Sequence, residues 1–452
     1  MEVAAAGRTP FPASRVPGFG IPLVIGMGGH ALFNLVDLWI VGGLGPSAIA
    51  AVTISGLVNS VAMVVMQGVS DGSVAVIARA VGAGDLRRAS EAARQAILLA
   101  LVLGVVLGVP PWLFARELTE AFGATGQALE QGTACLQVMS LGTVTMFLLM
   151  QTGAVLRALG SGKAPAVLLI GANVLNVPFA IAMVQGRFGS PAMGPVGACW
   201  GTVLARGVFA AVGLWLLATS SIGLRVRGPG LQARFLKPLL GVGLPVAAQW
   251  FVRLSPVLVI LGIAGRNGTD TAAAYGIGSR LDQFALFACA GWGAAAATAV
   301  GQGLGARDPR GAARAAWCAA ALGILWMATV GAVFHGKAPG IVALVGHGAG
   351  AAGPVVDLGA GYVRIVVFGY PAVGLAIVLS MALAGGGSVL LALGIEAGIL
   401  LGLQVPLCLA AAPAEPGGSL DPVWWTVVGT YWILAAAYAA VFARGRWKTK
   451  VL

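Results

Sequence analysis

Long apolar segments separated by short polar stretches recur along the whole chain. As α-helices, runs of about 20 apolar residues are long enough to cross a hydrocarbon layer of about 30 Å. The short alternating strands that would predict a membrane barrel are not found in the sequence. The pattern therefore predicts an all-α polytopic membrane protein with twelve spans, at roughly 18–42, 48–80, 92–115, 132–156, 164–185, 194–219, 238–264, 271–302, 312–334, 358–384, 387–411 and 423–443.

Composition supports this prediction. Only 9% of the 452 residues are charged and 58% are hydrophobic, whereas about a quarter of the residues of a soluble protein are charged. The net charge of +12 is compatible with nucleic-acid binding, but the charged residues cluster at the ends of apolar segments, as they do in loops beside a membrane. The expected surroundings are a lipid bilayer, with no nucleic-acid partner.

Basic residues are distributed unequally between alternate loops. If the N-terminus is cytoplasmic, nineteen of the 27 Lys and Arg residues lie in inner loops or flanks, four lie in outer loops, and the other four lie within or near spans. Because basic flanks stay on the cytoplasmic side of a membrane, both termini are predicted to be cytoplasmic.

The chain contains an internal repeat. A shift of 223 residues aligns 22–94 with 245–317 without a gap, and pairs Pro22 with Pro245 and Gly68 with Gly291. An even number of spans separates the copies, so they share one orientation in the membrane. The predicted organisation is a cytoplasmic N-terminus (1–17), an N-lobe with helices 1–6 (18–219), a basic cytoplasmic linker (220–237), a C-lobe with helices 7–12 (238–443) and a basic cytoplasmic C-terminus (444–452).

Two inner loops match each other within this repeat. They read GAGDLRRA at 82–89 and GARDPRGA at 305–312. Each is predicted to be a tight turn in which glycine supplies a permissive backbone and Asp caps the next helix.

Polar side chains within the spans are the candidates for function. The first span carries His30, Asn34 and Asp37 at i, i+4 and i+7, which places them on one helical face. A carboxylate in hydrocarbon costs several kcal/mol, so Asp37 is predicted to titrate or to hold a cation in a watery cavity. The alternative is a buried Asp that neighbouring helices satisfy. Further candidates in the first half, each of which also has a packing interpretation, are Gln67, Gln151, Asn173 and Asn176.

The second half carries different polar residues. The repeat places Arg253 opposite His30, and an isoleucine opposite Asp37. Arg253 is expected to form a structural ion pair with Glu396 or Asp282, or to reach an interface, in preference to contacting a substrate. Glu396 ranks after Asp37 among the intramembrane acids, and a functional role for Asp282 is as favoured as pairing within its helix. The sequence has no Walker A or zincin motif, so neither ATP hydrolysis nor a metal site is expected.

Several of these pieces resemble the multidrug and toxic compound extrusion (MATE) transporters. They are VDLWIVGGLG with Asp37, the inner loops VGAGDLRRA and LGARDPRGA, VLRALGSGKAP at 155–165, NVPFAIAMVQGRFGSPAMGPVGA at 176–198 and AAYGIGSRLD at 273–282. The resemblance implies two six-helix lobes, a central cleft, and antiport in which a proton or sodium ion moves inward while an organic compound, usually a cation, moves out. It also implies that Asp37 matches an acid of the family's first helix and Asn176 an Asn of its fifth.

Departures from the family pattern concern the coupling ion. Ala180 stands where many members carry a second polar or acidic residue, and Arg253 stands where a sodium-coupled branch carries Glu. No acid is found around 372–376, where that branch has Asp. The resemblance therefore favours proton coupling through Asp37 over sodium coupling through the C-lobe.

These observations predict a secondary active efflux antiporter rather than an enzyme. It is expected to export organic cations in exchange for H⁺ across the cytoplasmic membrane of a bacterium, as a monomer and without a cofactor. Ion coupling is assigned to Asp37, Asn34, Asn173 and Asn176, and the substrate cleft to His30, Gln67, Gln151, Asp282, Arg253 and Glu396. The alternatives are a flippase for a lipid-linked sugar, which Arg253 and Arg364 would favour, and a membrane scaffold or sensor without transport.

Overall fold

The computed structural model describes residues 11–42, 45–186, 191–220, 230–346, 353–415 and 417–450, apart from the side chains of 32–42 and 46. Helices account for most of these residues. In chain order they are α1 (Val16–Gly42), α2 (Pro46–Gly82), α3 (Leu86–Leu113), α4 (Ala115–Ala121), α5 (Gly126–Leu141), α6 (Thr143–Ala158), α7 (Lys163–Gln185), α8 (Pro195–Ala218), α9 (Ala233–Asn267), α10 (Thr269–Gly305), α11 (Pro309–Gly336), α12 (Ala338–Gly346), α13 (Gly353–Val366), α14 (Tyr370–Gly385), α15 (Val389–Glu396), α16 (Val405–Ala410) and α17 (Asp421–Arg444).

The helices confirm the predicted fold class. Ten stretches of the described chain are long and apolar enough to cross a membrane, and the bent pair α5 and α6 makes an eleventh. The 27 residues of α1 add one more helix of spanning length, because a rise of 1.5 Å per residue gives about 40 Å. The protein is therefore an all-α polytopic membrane protein, and the count is consistent with twelve spans in two lobes.

Three spans are interrupted where hydropathy predicts one continuous helix. α5 and α6 bend by 41° at Gly142, where a Cβ would lie 2.2 Å from Val203 of α8. A 3₁₀ turn over Val367–Gly369 separates α13 from α14, and a π-helix over Ala397–Gln404 joins α15 to α16. These interruptions change backbone geometry without changing polarity, so a hydropathy pattern does not register them. The hydropathy pattern also does not predict the short helices α4 and α12.

The two repeated inner loops fold alike. The side chains of Asp85 and Asp308 each accept a hydrogen bond from the backbone N–H three residues on, at 2.9 and 2.8 Å, so each caps its helix as predicted. Gly84 has φ +78° and its repeat counterpart Arg307 has φ +63°. A left-handed conformation costs a residue with a Cβ about 1–2 kcal/mol. The turn is therefore kept in the second copy even though the permissive glycine is not.

The chain divides into two compact units. Within the described residues, the first unit holds 25–247 and the second holds 11–24 together with 248–450. The first turns of α1 thus belong to the second unit, and the first turns of α9 belong to the first. The repeat pair Pro22 and Pro245 lies two residues before the two crossing points. The predicted lobe boundaries themselves, 18–219 and 238–443, stay predictions.

Repeated glycines hold these helix ends within each unit. In the first unit, α2 packs on α9 so closely that a Cβ on Gly68 would lie 2.4 Å from the carbonyl oxygen of Gly243. In the second unit, α10 packs on α1, and a Cβ on Gly291 would lie 2.5 Å from the backbone nitrogen of Val24. Backbone atoms cannot move aside as a flexible side chain can, so both copies require glycine at this position.

Candidate functional site

In the first unit, His30 and Asn173 meet between α1 and α7. The two helices approach closely at Gly26, where a Cβ would lie 3.0 Å from the Cα of Ala166. One turn further along α1, Nδ1 of His30 lies 3.3 Å from Oδ1 of Asn173. The Nδ2 atom of Asn173 is buried and has no hydrogen-bond partner among the described residues. Beside the polar face of α1, this amide therefore has a donor that no described residue accepts.

Asn34 and Asp37 follow His30 on that face. α1 is helical through both positions, so their backbones lie about one and two turns beyond His30 on the same side. Their side chains lie outside the described residues, and the ion-coupling roles assigned to them stay predictions.

Asn176 lies one turn beyond Asn173 on α7 and faces α8. It is 3% exposed, and its Oδ1 accepts a hydrogen bond from Thr202 at 3.4 Å. Arg206, one turn after Thr202, is close enough to His30 to interact with it electrostatically. The structure thus brings two predicted residues, His30 and Asn173, together, and adds Arg206 to them. In the sequence, the position of Arg206 within an apolar span was the feature that could have indicated a functional role.

Gln67 and Gln151 belong to a second polar group of this unit, between α2 and α6. Nε2 of Gln67 donates to both carboxylate oxygens of Asp71 at 3.2 Å, and Arg157 of α6 interacts electrostatically with Asp71. Gln151 is fully buried, and both ends of its amide are hydrogen-bonded to serine hydroxyls of α2. These bonds favour a packing role for Gln151 over contact with a substrate.

In the second unit, Arg253 forms an ion pair with Glu396. Nε and Nη2 of Arg253 donate to the two carboxylate oxygens at 3.0 and 2.6 Å. The hydroxyls of Tyr438 and Ser380 donate to the same carboxylate at 2.7 and 3.3 Å, and Glu396 is only 1% exposed. Of the partners expected for Arg253, the structure has Glu396 and not Asp282. Two opposite charges that are hydrogen-bonded in this way compensate each other within the span.

Asp282 has a different environment, made of neutral groups. Its carboxylate accepts hydrogen bonds from the hydroxyls of Tyr362 and Tyr370, the second at 2.8 Å. Tyr362 approaches closely because Gly278 has no side chain, since a Cβ there would lie 2.3 Å from the ring. No basic nitrogen of the described chain lies within 4.0 Å of this carboxylate. Asp282 is thus an intramembrane acid that is hydrogen-bonded but not neutralised by a cation.

The tyrosines beside these acids are functional candidates that the pattern of polar positions does not reveal. The chain has five tyrosines, all in its second half. That uneven distribution was the available signal, but which acid each hydroxyl reaches depends on helix packing. They are Tyr275, Tyr362, Tyr370, Tyr431 and Tyr438.

A known protein family matches both copies of the internal repeat. The model of the MatE family matches residues 22–182 and 245–410, one stretch in each half of the chain and together well over half of it. A probable multidrug resistance protein NorM of Thermotoga maritima is 28% identical over 306 residues, which are 67% of this chain and 65% of that protein. Multidrug resistance protein PmpM of Pseudomonas aeruginosa is 27% identical over 312 residues, again 67% of this chain and 65% of that protein. The chain thus spans just under two thirds of the length of these relatives.

A solved structure agrees over the whole fold. An outward-facing multidrug resistance MATE family transporter of the MOP superfamily superposes with a TM-score of 0.91 and 20% identity, covering 100% of both chains. At this identity the likeness concerns the fold alone. The family match, which covers both copies of the repeat, establishes the relationship: this chain belongs to the MATE family.

Proposed function

We propose that the protein is a secondary active efflux transporter that exports organic cations in exchange for protons. Its family and its relatives, which are named multidrug resistance proteins, support efflux. The observation that carries the coupling assignment is the polar face of α1, on which Asp37 follows the His30–Asn173 contact. The proposed activity moves a compound and an ion across a bilayer and requires no catalytic residue.

Asp37 is the proposed carrier of the proton. A proton from the outer side neutralises its carboxylate and removes the cost of a charge in hydrocarbon. α1 then repacks, the exported compound leaves outward, and release of the proton to the cytoplasm resets the unit. Asn34, Asn173 and Asn176 are proposed to hydrogen-bond at this ion site.

Protons are favoured over sodium on electrostatic grounds. A sodium-coupled branch of the MATE family carries Glu where this chain has Arg253, and here that guanidinium is paired with Glu396. The first unit offers Asp37, whose carboxylate is the proposed site of reversible protonation. The identity of the coupling ion is tested by driving efflux from proteoliposomes with a pH gradient and, separately, with a sodium gradient.

Replacement of Asp37 tests the coupling role. In proteoliposomes under a pH gradient, Asp37→Asn is expected to lower efflux of a cationic dye to the level of empty vesicles, because the amide does not take up the proton. Glu117→Gln, at an exposed acid of α4 in the same unit, is the matched control and is expected to keep wild-type efflux. Efflux by Asp37→Asn at the wild-type rate would exclude Asp37 as the coupling group.

The flippase alternative has lost part of its basis. It relied on the basic residues Arg253 and Arg364, and Glu396 compensates the charge of Arg253. Complementation of a flippase-deficient strain by this chain would nevertheless favour it over drug export. Substrate-dependent proton flux in proteoliposomes would exclude the scaffold alternative.

A further inference from the structure

The second unit contains a negative charge that the proposed cycle does not use. Asp282 lies within the span formed by α10, and its two described partners are neutral hydroxyls. A carboxylate has about four lone-pair positions, and two of them remain open here. An intramembrane acid without a basic partner is, by default, a site for a cation or a substrate.

A buried amide that makes no well-formed hydrogen bond to the described part of the chain lies in the same region. Gln404 ends the π-helix of the eleventh span and is 1% exposed. Neither its Oε1 nor its Nε2 has a hydrogen bond of acceptable geometry among the described residues. Native proteins rarely leave such groups unpaired, and π-helical segments are frequent at functional sites.

Tyr431 of α17 lies near both Asp282 and Gln404. Its hydroxyl interacts electrostatically with Asp282 and approaches the Gln404 side chain. Its ring is accommodated by Gly369, where a Cβ would lie 3.0 Å from the ring. Tyr431 is half-buried, as is Asp282, so both retain some access from outside the protein interior.

Aromatic rings form a wall beside the carboxylate. Tyr362 and Trp424 pack edge to face with centroids 4.8 Å apart, and Tyr275 stacks on Trp424 at 5.8 Å. Trp424 and Tyr431 are seven residues apart on α17, on one helical face. Faces of Tyr and Trp attract cations, most strongly where water is excluded.

We propose that Asp282, Gln404 and Tyr431 form a binding site for the protonated amine group of an exported compound. The inference rests on the proposed efflux function and adds to it a site and a preference. One N–H of the ammonium group donates to Asp282 and another to Oε1 of Gln404, while the aromatic wall contacts the carbon atoms around the charge. A quaternary ammonium has no N–H and leaves Gln404 unpaired, so the site selects amines that carry hydrogen.

Binding of two matched probes tests this preference. The probes are a dansyl-aminopropyl primary amine and its N,N,N-trimethyl counterpart, which share dye and charge and differ in N–H donors. The Kd of each probe is measured by fluorescence anisotropy with the purified full-length protein at pH 7. The primary amine is expected to bind at least about tenfold more tightly than the trimethyl probe, because only the primary amine can donate charged hydrogen bonds.

Variants separate the two contacts. Gln404→Leu, or Gln404→Met if the first does not fold, is expected to weaken the primary amine by several-fold and so to reduce the preference, because the amine loses one of its two hydrogen bonds. The trimethyl probe, which makes no hydrogen bond to Gln404, is expected to stay within about twofold of wild type. Asp282→Asn is expected to weaken both probes by about tenfold or more, because both lose a charge partner. The control Asp357→Asn, at an exposed acid of α13, is expected to change neither. Equal binding of the two probes by wild type, or unchanged binding by Asp282→Asn, would overturn the proposal.

Two further measurements distinguish failure of the proposed amine site from failure of the proposed transport function. Sodium at constant ionic strength is expected not to compete with the amine; competition that disappears in Asp282→Asn would assign the site to an inorganic cation instead. Efflux of both probes is measured in proteoliposomes. Efflux that is insensitive to Asp282 and Gln404 substitutions would leave the proposed function intact and remove this site. The expected binding pattern without efflux would keep the site and contradict the transport function.

Discussion

At the scale of residues, Asp282 and Glu396 of the second unit both accept hydrogen bonds from tyrosine hydroxyls but differ in whether a positive charge lies beside them. Tyrosine hydroxyls donate to both Asp282 and Glu396, but among the described residues a guanidinium pairs with Glu396 alone. A hydrogen bond reduces the cost of a carboxylate in a span, and an opposite charge reduces it further. Glu396 is therefore suited to stabilising the fold, and Asp282 is suited to binding a cation.

This distinction predicts the effect of Glu396→Gln. The amide keeps the shape but leaves the charge of Arg253 uncompensated, so we expect the free energy of unfolding to fall by about 3–5 kcal/mol. The measurement is the Tm of the purified protein in detergent. Replacing both partners, by Arg253→Met together with Glu396→Leu, is expected to recover most of the lost stability, because no buried charge is left without a partner.

An exposed ion pair of the same protein provides the control. Arg116 and Glu120 are 3.1 Å apart with side chains 70% and 50% exposed, and removing such a pair changes stability by less than about 1 kcal/mol. Glu120→Gln is thus expected to leave the Tm nearly unchanged. If Glu396→Gln were equally mild, the ion pair of the span would not be structural, and Arg253 would be available to a substrate.

At the scale of elements, glycines decide which helices approach each other. Gly291 of α10 lies against the backbone of α1, whereas no heavy atom of the described residues lies within 4 Å of the position where a Cβ of Gly276 would stand. Both are helical glycines, so their intrinsic propensities are alike. Packing alone distinguishes them.

Alanine substitution at the two positions is expected to have opposite effects. Gly291→Ala places a methyl group 2.5 Å from the backbone nitrogen of Val24, and overpacking of this kind costs about 1–3 kcal/mol. Gly276→Ala adds no contact and is expected to stabilise the helix by up to about 1 kcal/mol. The Tm values of the two variants should lie on either side of wild type. A Gly291→Ala variant as stable as Gly276→Ala would show that α1 and α10 separate without cost.

At the scale of the whole molecule, the two halves share their inner turns and the packing of their glycines but differ in polar chemistry. The first unit has His30 against Asn173, while the second has Arg253 against Glu396 and Asp282 against tyrosines. Repetition thus accounts for the scaffold, and divergence between the copies accounts for the candidate sites.

The predicted orientation is testable with single cysteines. Arg88→Cys lies next to an inner turn and Glu120→Cys on the short outer helix α4, and both positions are exposed. Four of the five native cysteines are buried, so Cys318→Ala provides a background of low reactivity. In intact cells, a membrane-impermeant maleimide is expected to label Glu120→Cys and not Arg88→Cys, because basic inner loops remain in the cytoplasm. The reverse pattern would invert the topology.

The sequence by itself determined the class of fold, the repeat, the capped inner turns and the family resemblance. Each depends on local properties: a bilayer requires long apolar helices whatever their partners, and an Asp three residues before a free backbone N–H caps a helix in either copy. Polar positions such as His30, Asn173 and Asp282 were also visible as candidates, because a polar group within an apolar span is conspicuous on its own.

Only the tertiary structure decided which of these groups meet. Arg253 and Glu396 are 143 positions apart in the chain, as are His30 and Asn173, and helical periodicity carries no information over such separations. The same holds for the exchange of helix ends at Pro22 and Pro245, and for the convergence of Tyr362, Tyr370 and Tyr431 on Asp282. These features follow from close packing of helices at glycines, which sets contacts between residues remote in sequence.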